Sequence, residues 1–105
     1  MEYTERDEDL EGDGESPFHW DDANELHVAE HGVTPSEAEE IFDDPGRVFL
    51  RRSDSPTEHR WVLLGRTFAG RLQVIVYTRR NGRIRVITVR DPNVGESRFW
   101  SRRRG

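Results

Sequence analysis

The chain has 105 residues, of which 32% are hydrophobic and 35% charged, with a formal net charge of -5. That length suits one domain with a small core. The absence of cysteine excludes disulfides, zinc–thiolate sites and thiol nucleophiles. No run of about 18 apolar residues is present to span a membrane, and no basic-then-apolar leader opens the sequence, so a cytoplasmic location is the expectation.

The net charge hides a segregation. Residues 1–46 carry 17 acidic residues and one Arg, whereas residues 47–105 carry 4 acidic residues and 15 Arg. The local field, not the total, decides what a surface attracts. All 16 basic residues are Arg. Codon usage in a GC-rich or salt-adapted genome accounts for the lack of Lys, but not for the avoidance of the first half. Guanidinium groups suit bidentate phosphate recognition.

Residues 1–16 hold eight acids and one Arg, and have almost nothing to bury. They read as a disordered acidic tail that keeps the chain soluble or shields the basic half of the same molecule or of a neighbour. The folded domain is expected over 17–101, followed by a basic tail at 102–105. Pro17 to Trp20 read as an extended segment with two aromatic anchors. Asp21 or Asp22 caps a helix over about 23–31, which Gly32 stops. Thr34, Pro35 and Glu37 form a capping box with Pro at the first helical position. That second helix runs through Ile41 and Phe42 and ends before Pro45. Strand patterns follow at 47–50, 60–66, 72–78 and 83–89. Asn81-Gly82 is the strongest hairpin turn, and short links make the strands antiparallel. A short helix over 94–101 closes the domain. The economical architecture is α+β, with one antiparallel sheet of about four strands packed on two N-terminal helices and a short C-terminal helix.

Alternation sorts the strand residues by face. Leu72, Val74 and Val76, with Ile84 and Val86, are expected against the helices. The opposite face then carries Gln73, Tyr77, Arg83 and Arg85, with Arg60 and Arg66, where guanidinium meets phosphate and an aromatic meets a base. His27-Val28-Ala29-Glu30-His31 matches the inverted zinc-peptidase signature, but Gly32 places His31 at the helix end, where a histidine meets the dipole favourably. The pairs Asp21-Asp22 and Asp43-Asp44 read as helix caps. No metal or cofactor is expected. Cleavage of RNA through its own 2′-hydroxyl needs alignment, a cation for the pentavalent phosphate and a proton relay. Arg residues supply the second, Tyr or His the third, and His59 is the histidine beside Arg60.

Phe18-x-Trp20-Asp21, His31-Gly32-Val33 and Ala38-x-x-Ile41-Phe42-Asp43-Asp44-Pro45 resemble the opening of the BrnT family. The resemblance continues, colinearly, in Arg60-Trp61-x-x-x-Gly65, in Gly70 to Thr78, in Arg83 to Arg90 and in Glu96-x-Arg98-Phe99. It implies a RelE-like fold and a toxin of a type II toxin–antitoxin system. Such a toxin is a small ribonuclease that needs no metal, cleaves RNA and inhibits translation. Its implied partners are RNA and a BrnA-like ribbon-helix-helix antitoxin, in a hetero-oligomer. Arg60, Tyr77, Arg85 and Arg90 are the expected catalytic set, and Arg66, Arg71, Arg83 and His59 the expected RNA contacts. Strict alternation puts Arg90 on the helix side unless a bulge near Pro92 re-aims it. Glu30 stands where many relatives carry a basic residue. A non-catalytic RNA- or acidic-peptide-binding module of the same fold is the alternative.

Overall fold

In chain order the elements are α1 (Asp22–Ala29), α2 (Pro35–Phe42), β1 (Val48–Arg52), β2 (Trp61–Arg66), β3 (Leu72–Arg80), β4 (Arg83–Arg90) and α3 (Val94–Arg104). They are seen in a computed structural model that describes residues 16–104; the proposed acidic tail lies outside the described residues but for Ser16. The strands form one antiparallel meander in the order β1-β2-β3-β4, so the architecture is the expected α+β one.

Local chemistry sets the boundaries. Asp21 accepts from the backbone N–H of Asn24, whose side chain accepts from the Asp21 N–H, so α1 opens on a reciprocal cap. The buried Asn24 amide also donates to the carbonyls of His19 and Val86, pinning α1 to β4. Thr34 and Glu37 cap α2 in the expected box, with Pro35 at its start. Asn81 and Gly82 have φ of 54° and 77°. Two successive left-handed residues are what a tight type I′ hairpin requires. Asn93 and Glu96 cap α3 reciprocally, and that helix runs to Arg104, past the expected end. Before α1, Phe18 pairs with Ile84 along the outer edge of β4, with Ile84 bonded to both Pro17 and His19.

The sheet has an apolar cluster on each face. Val28, Val33, Ala38 and Ile41 from the α1–α2 side meet Leu63, Ile75, Val86 and Val89, with Tyr77 beside them. Trp100 of α3 covers Val62, Leu64 and Val74, joined by Leu72 and Val76. The expected face assignment of β3 is therefore reversed. Leu72, Val74 and Val76 lie under α3, while Gln73, Ile75 and Tyr77 face α1 and α2. Alternation groups side chains but does not say which side a strand apolar on both faces turns inward. Ile84 and Val86 also part from Leu72. Tyr77 pairs with Val86 and Val76 with Thr88, leaving Ile87 as an extra residue. This bulge shifts the parity of β4. Beyond it Arg90 is opposite Val74, on the α3 face with Arg85, which is opposite Thr78. The bulge that re-aims Arg90 sits at Ile87 rather than near Pro92.

Candidate functional site at the sheet end

The register divides the eight expected site residues between two ends of the sheet. His59, Arg60, Tyr77, Arg83 and Arg85 gather where the β1–β2 and β3–β4 turns meet. Arg66, Arg71 and Arg90 lie toward the other end. Along β3, the partner of Arg85 is Thr78 and that of Arg90 is Val74; four residues of strand separate them by roughly 13 Å. Tyr77, moreover, faces the side opposite Arg85. The expected quartet of Arg60, Tyr77, Arg85 and Arg90 thus does not converge.

At the far end the arginines have partners within the fold. Arg90 makes a two-pronged ion pair with Glu96, at 2.7 and 2.8 Å. This pair holds the Glu96 carboxyl at about 2, far below the usual carboxylate range. Arg71 donates to the carbonyls of His31 and Gly32 and lies 3.5 Å from Asp91. A hydrogen bond from Gln73, reinforced by Arg71, lowers the Asp91 carboxyl. Arg66 lies over the Trp100 ring at 5.5 Å. His31 falls beyond the end of α1, so His27 and His31 do not share a helix face as the zinc signature requires. Among the described residues no group of three or more His, Asp or Glu side chains could hold a metal ion.

The near end has a different character. One row across the sheet on the α1–α2 side reads Arg52, Trp61, Tyr77, Val86. The Trp61 and Tyr77 rings stack at 5.7 Å, Arg52 lies 5.5 Å over Trp61, and Phe42 meets Tyr77 edge-on at 5.0 Å. Burial raises the Tyr77 phenol above its ordinary value, against the pull of Arg79 and Arg47. Beside this row, Asp54 receives two bonds from Arg52, at 3.0 and 2.8 Å, which bring its carboxyl down to about 2. His59 Nδ1 lies 2.6 Å from Arg52 Nη2 and 3.2 Å from Asp54 Oδ2. Unprotonated, Nδ1 accepts from Arg52; protonated, it donates to Asp54 and leaves Nε2 as the free base. The ring therefore has a partner in either state and is largely exposed.

On the other side of the same end, Arg60 Nε donates to Glu58 at 2.8 Å, and Arg80 shares that carboxylate at 3.8 Å. Arg85 grips Asp21 with both Nη atoms, at 3.0 and 3.2 Å. This lowers the Asp21 carboxyl and fixes the start of α1. Arg83 donates to the carbonyls of Ser16 and Phe18. Sequence reasoning missed Arg52, Asp54 and Arg79 as site residues and used Trp61 only as part of a motif. The pairing of Arg52 with Trp61 was not readable, because β1 runs past residue 50 and a bulge at Leu50 sets its register. Nor was the Asp54–His59 contact, because a turn whose shape the sequence leaves open brings it together.

The domain is α+β, with three helices and one four-stranded antiparallel sheet, and one end of that sheet carries stacked aromatics, guanidinium groups and an exposed imidazole. Residues 20–96 match the model of a family described as ribonuclease toxin, BrnT, of type II toxin–antitoxin system. The chain belongs to the BrnT family. No curated protein shows significant similarity to it. Among the described residues no helix is long and apolar enough to cross a membrane.

Proposed function

We propose that this chain is a metal-independent endoribonuclease that inhibits translation and is centred on the turn end of the sheet. The observation that carries the reading is the Arg52–Asp54–His59 cluster beside the Trp61–Tyr77 stack. His59 exchanges a proton with the 2′-hydroxyl or the leaving 5′-oxygen. Arg52, and Arg60 from the other side of the turn end once phosphate displaces it from Glu58, offset the charge of the pentavalent phosphate, and a base rests against Trp61. Tyr77 contributes its ring, because the row places it within the stack. Arg85 and Arg90, engaged with Asp21 and Glu96, hold elements in place. In a toxin–antitoxin family, the partner proposed is a BrnA-like ribbon-helix-helix antitoxin in a hetero-oligomer, with both chains in the cytoplasm.

The test is incubation of the purified chain with labelled single-stranded RNA in EDTA. Cleavage is expected, with His59→Ala and Arg60→Ala each lowering the rate 10²-fold or more. Cleavage that persists in His59→Ala, or that needs a divalent cation, overturns the mechanism. The carboxylates on Arg60 and Arg85 favour a second reading, a binding module without chemistry. That reading predicts salt-sensitive RNA binding with no cleavage products and no growth arrest on expression.

A further inference from the structure

Two helix faces of the described chain are open and opposite in charge. α3 turns Glu96 and Trp100 inward, with Arg90 holding Glu96. Its outer side shows Val94, Ser97, Arg98, Ser101 and Arg102, spaced as one helical row. This row lines an open hollow of about 410 Å³. Val94 is 66% exposed, and neither Arg98 nor Arg102 has a carboxylate partner among the described residues. α1 buries Asn24 and Val28 and turns out Asp22, Glu25, Leu26 and Ala29 at the same helical spacing. Leu26 is 62% exposed, and neither Asp22 nor Glu25 has a cationic partner among the described residues. The two helices cover opposite faces of the sheet, so the two rows cannot meet within one molecule.

We propose that the α3 hollow receives α1 of a second copy of this chain, the two helices running antiparallel. In that direction Asp22 and Glu25, at the start of α1, come to Arg102 and Arg98, toward the end of α3. Leu26 and Ala29 then come to Ser97 and Val94. Small side chains at Ser97, Ser101 and Ala29 let the two backbones approach, and opposed helix dipoles add to the charge pairing. The occupant follows from charge and from apolar surface together. Residues 17–46 carry nine acids and no Arg, whereas α3 carries four Arg and the single, already paired Glu96. An RNA strand would meet the same cations, but it would leave both Val94 and Leu26 in water. The contact joins two different surfaces, so it repeats from copy to copy instead of closing as a two-fold dimer. Helices of eight and eleven residues bury less than the roughly 1,200 Å² of a stable complex. The association is therefore weak, and it is strongest at low salt. It needs neither RNA nor an antitoxin, so it stands apart from the function proposed above.

Sedimentation velocity of the full-length chain tests the contact. At about 50 mM salt the weight-average sedimentation coefficient should rise with protein concentration, and the rise should vanish at about 0.5 M. Glu25→Arg and Arg98→Glu each set like charges against one another and should weaken the association at least tenfold. The Glu25→Arg, Arg98→Glu double variant restores opposite charges and should associate within about threefold of the parent. All these positions are exposed, and circular dichroism checks that each variant is folded. No rise at low salt, a rise that survives either single change, or a double variant as weak as the single ones each overturns the proposal. So does a labelled single-stranded RNA that loses its binding in Arg98→Glu while the parent stays monomeric, because α3 would then be a nucleic-acid surface.

Discussion

Replacing Glu96 with Gln removes one charge from a nearly closed site and leaves its shape. Glu96 is 9% exposed and accepts from both Nη atoms of Arg90 and from the Asn93 N–H. Gln keeps the cap through its carbonyl but cannot balance Arg90. The folded carboxyl sits at about 2 against an ordinary 4.5. At about 1.4 kcal/mol per unit, that difference is worth roughly 3 kcal/mol at neutral pH. Because the folded value is depressed, this stability is complete above about pH 4.5 and drains away as pH falls toward 2. The assay is urea unfolding followed by circular dichroism at several pH values. At pH 7 the Glu96→Gln midpoint should fall by roughly 2 M, for an m-value near 1.5 kcal/mol/M. The gap from the parent should close as pH approaches 2. A variant as stable as the parent at pH 7, or a gap of constant size from pH 6 to pH 2.5, refutes the reasoning.

Asn24→Ala removes the α1 cap partner and leaves the carbonyls of His19 and Val86 short of a donor, so urea unfolding should show a loss of about 2 kcal/mol. Gly65→Ala places a Cβ 3.0 Å from Ile41 Cγ2 and 3.3 Å from the Ile41 carbonyl oxygen; a loss of about 1–3 kcal/mol is expected, and a neutral result would mean that α2 shifts freely. Tyr77→Phe should retain RNA cleavage within threefold, because the ring and not the hydroxyl contributes, whereas loss of cleavage in a folded Tyr77→Phe protein would restore a proton role to the phenol. Asp54→Asn should lower cleavage at least tenfold with little change in thermal midpoint, since the residue is exposed, and an unchanged rate would remove Asp54 from the proton relay.

The elements that sequence reading captured are those written in local chemistry. Thr34-Pro35-x-Glu37 announces a helix start through atoms three residues apart, and Asn81-Gly82 announces a turn through permitted φ values. The faces of β3 are not local in this way. Leu72, Val74, Val76 and Gln73, Ile75, Tyr77 form two mostly apolar rows, and only the position of α3 decides which row Trp100 covers. Gln73 was a misleading guide, since its polar side chain is fully buried and bonded to Asp91. The site was legible as a type of chemistry and not as a place. Arg60, His59 and Tyr77 belong to one end of the sheet and Arg90 to the other, a separation that follows from the Asn81-Gly82 hairpin, but the face Arg90 takes depends on a bulge that no residue type signals. Of the carboxylates that turn Arg60, Arg85 and Arg90 into paired cations, Asp21 is brought to Arg85 by tertiary geometry, whereas Glu58 and Glu96 reach Arg60 and Arg90 from adjoining turns.

Ile87 has a consequence for how β4 tolerates change in length. The strand carries one residue more than its partner needs, so loss of a single residue between Val86 and Val89 would straighten the ladder while Val89 still points inward and Arg90 still points outward. A deletion nearer either terminus of the strand has no such slack and would slide every later side chain to the wrong side. Shortening of this chain is therefore best absorbed at such an extra residue, Ile87 in β4 or Leu50 in the other edge strand β1, where a uniform sheet would have none to spare.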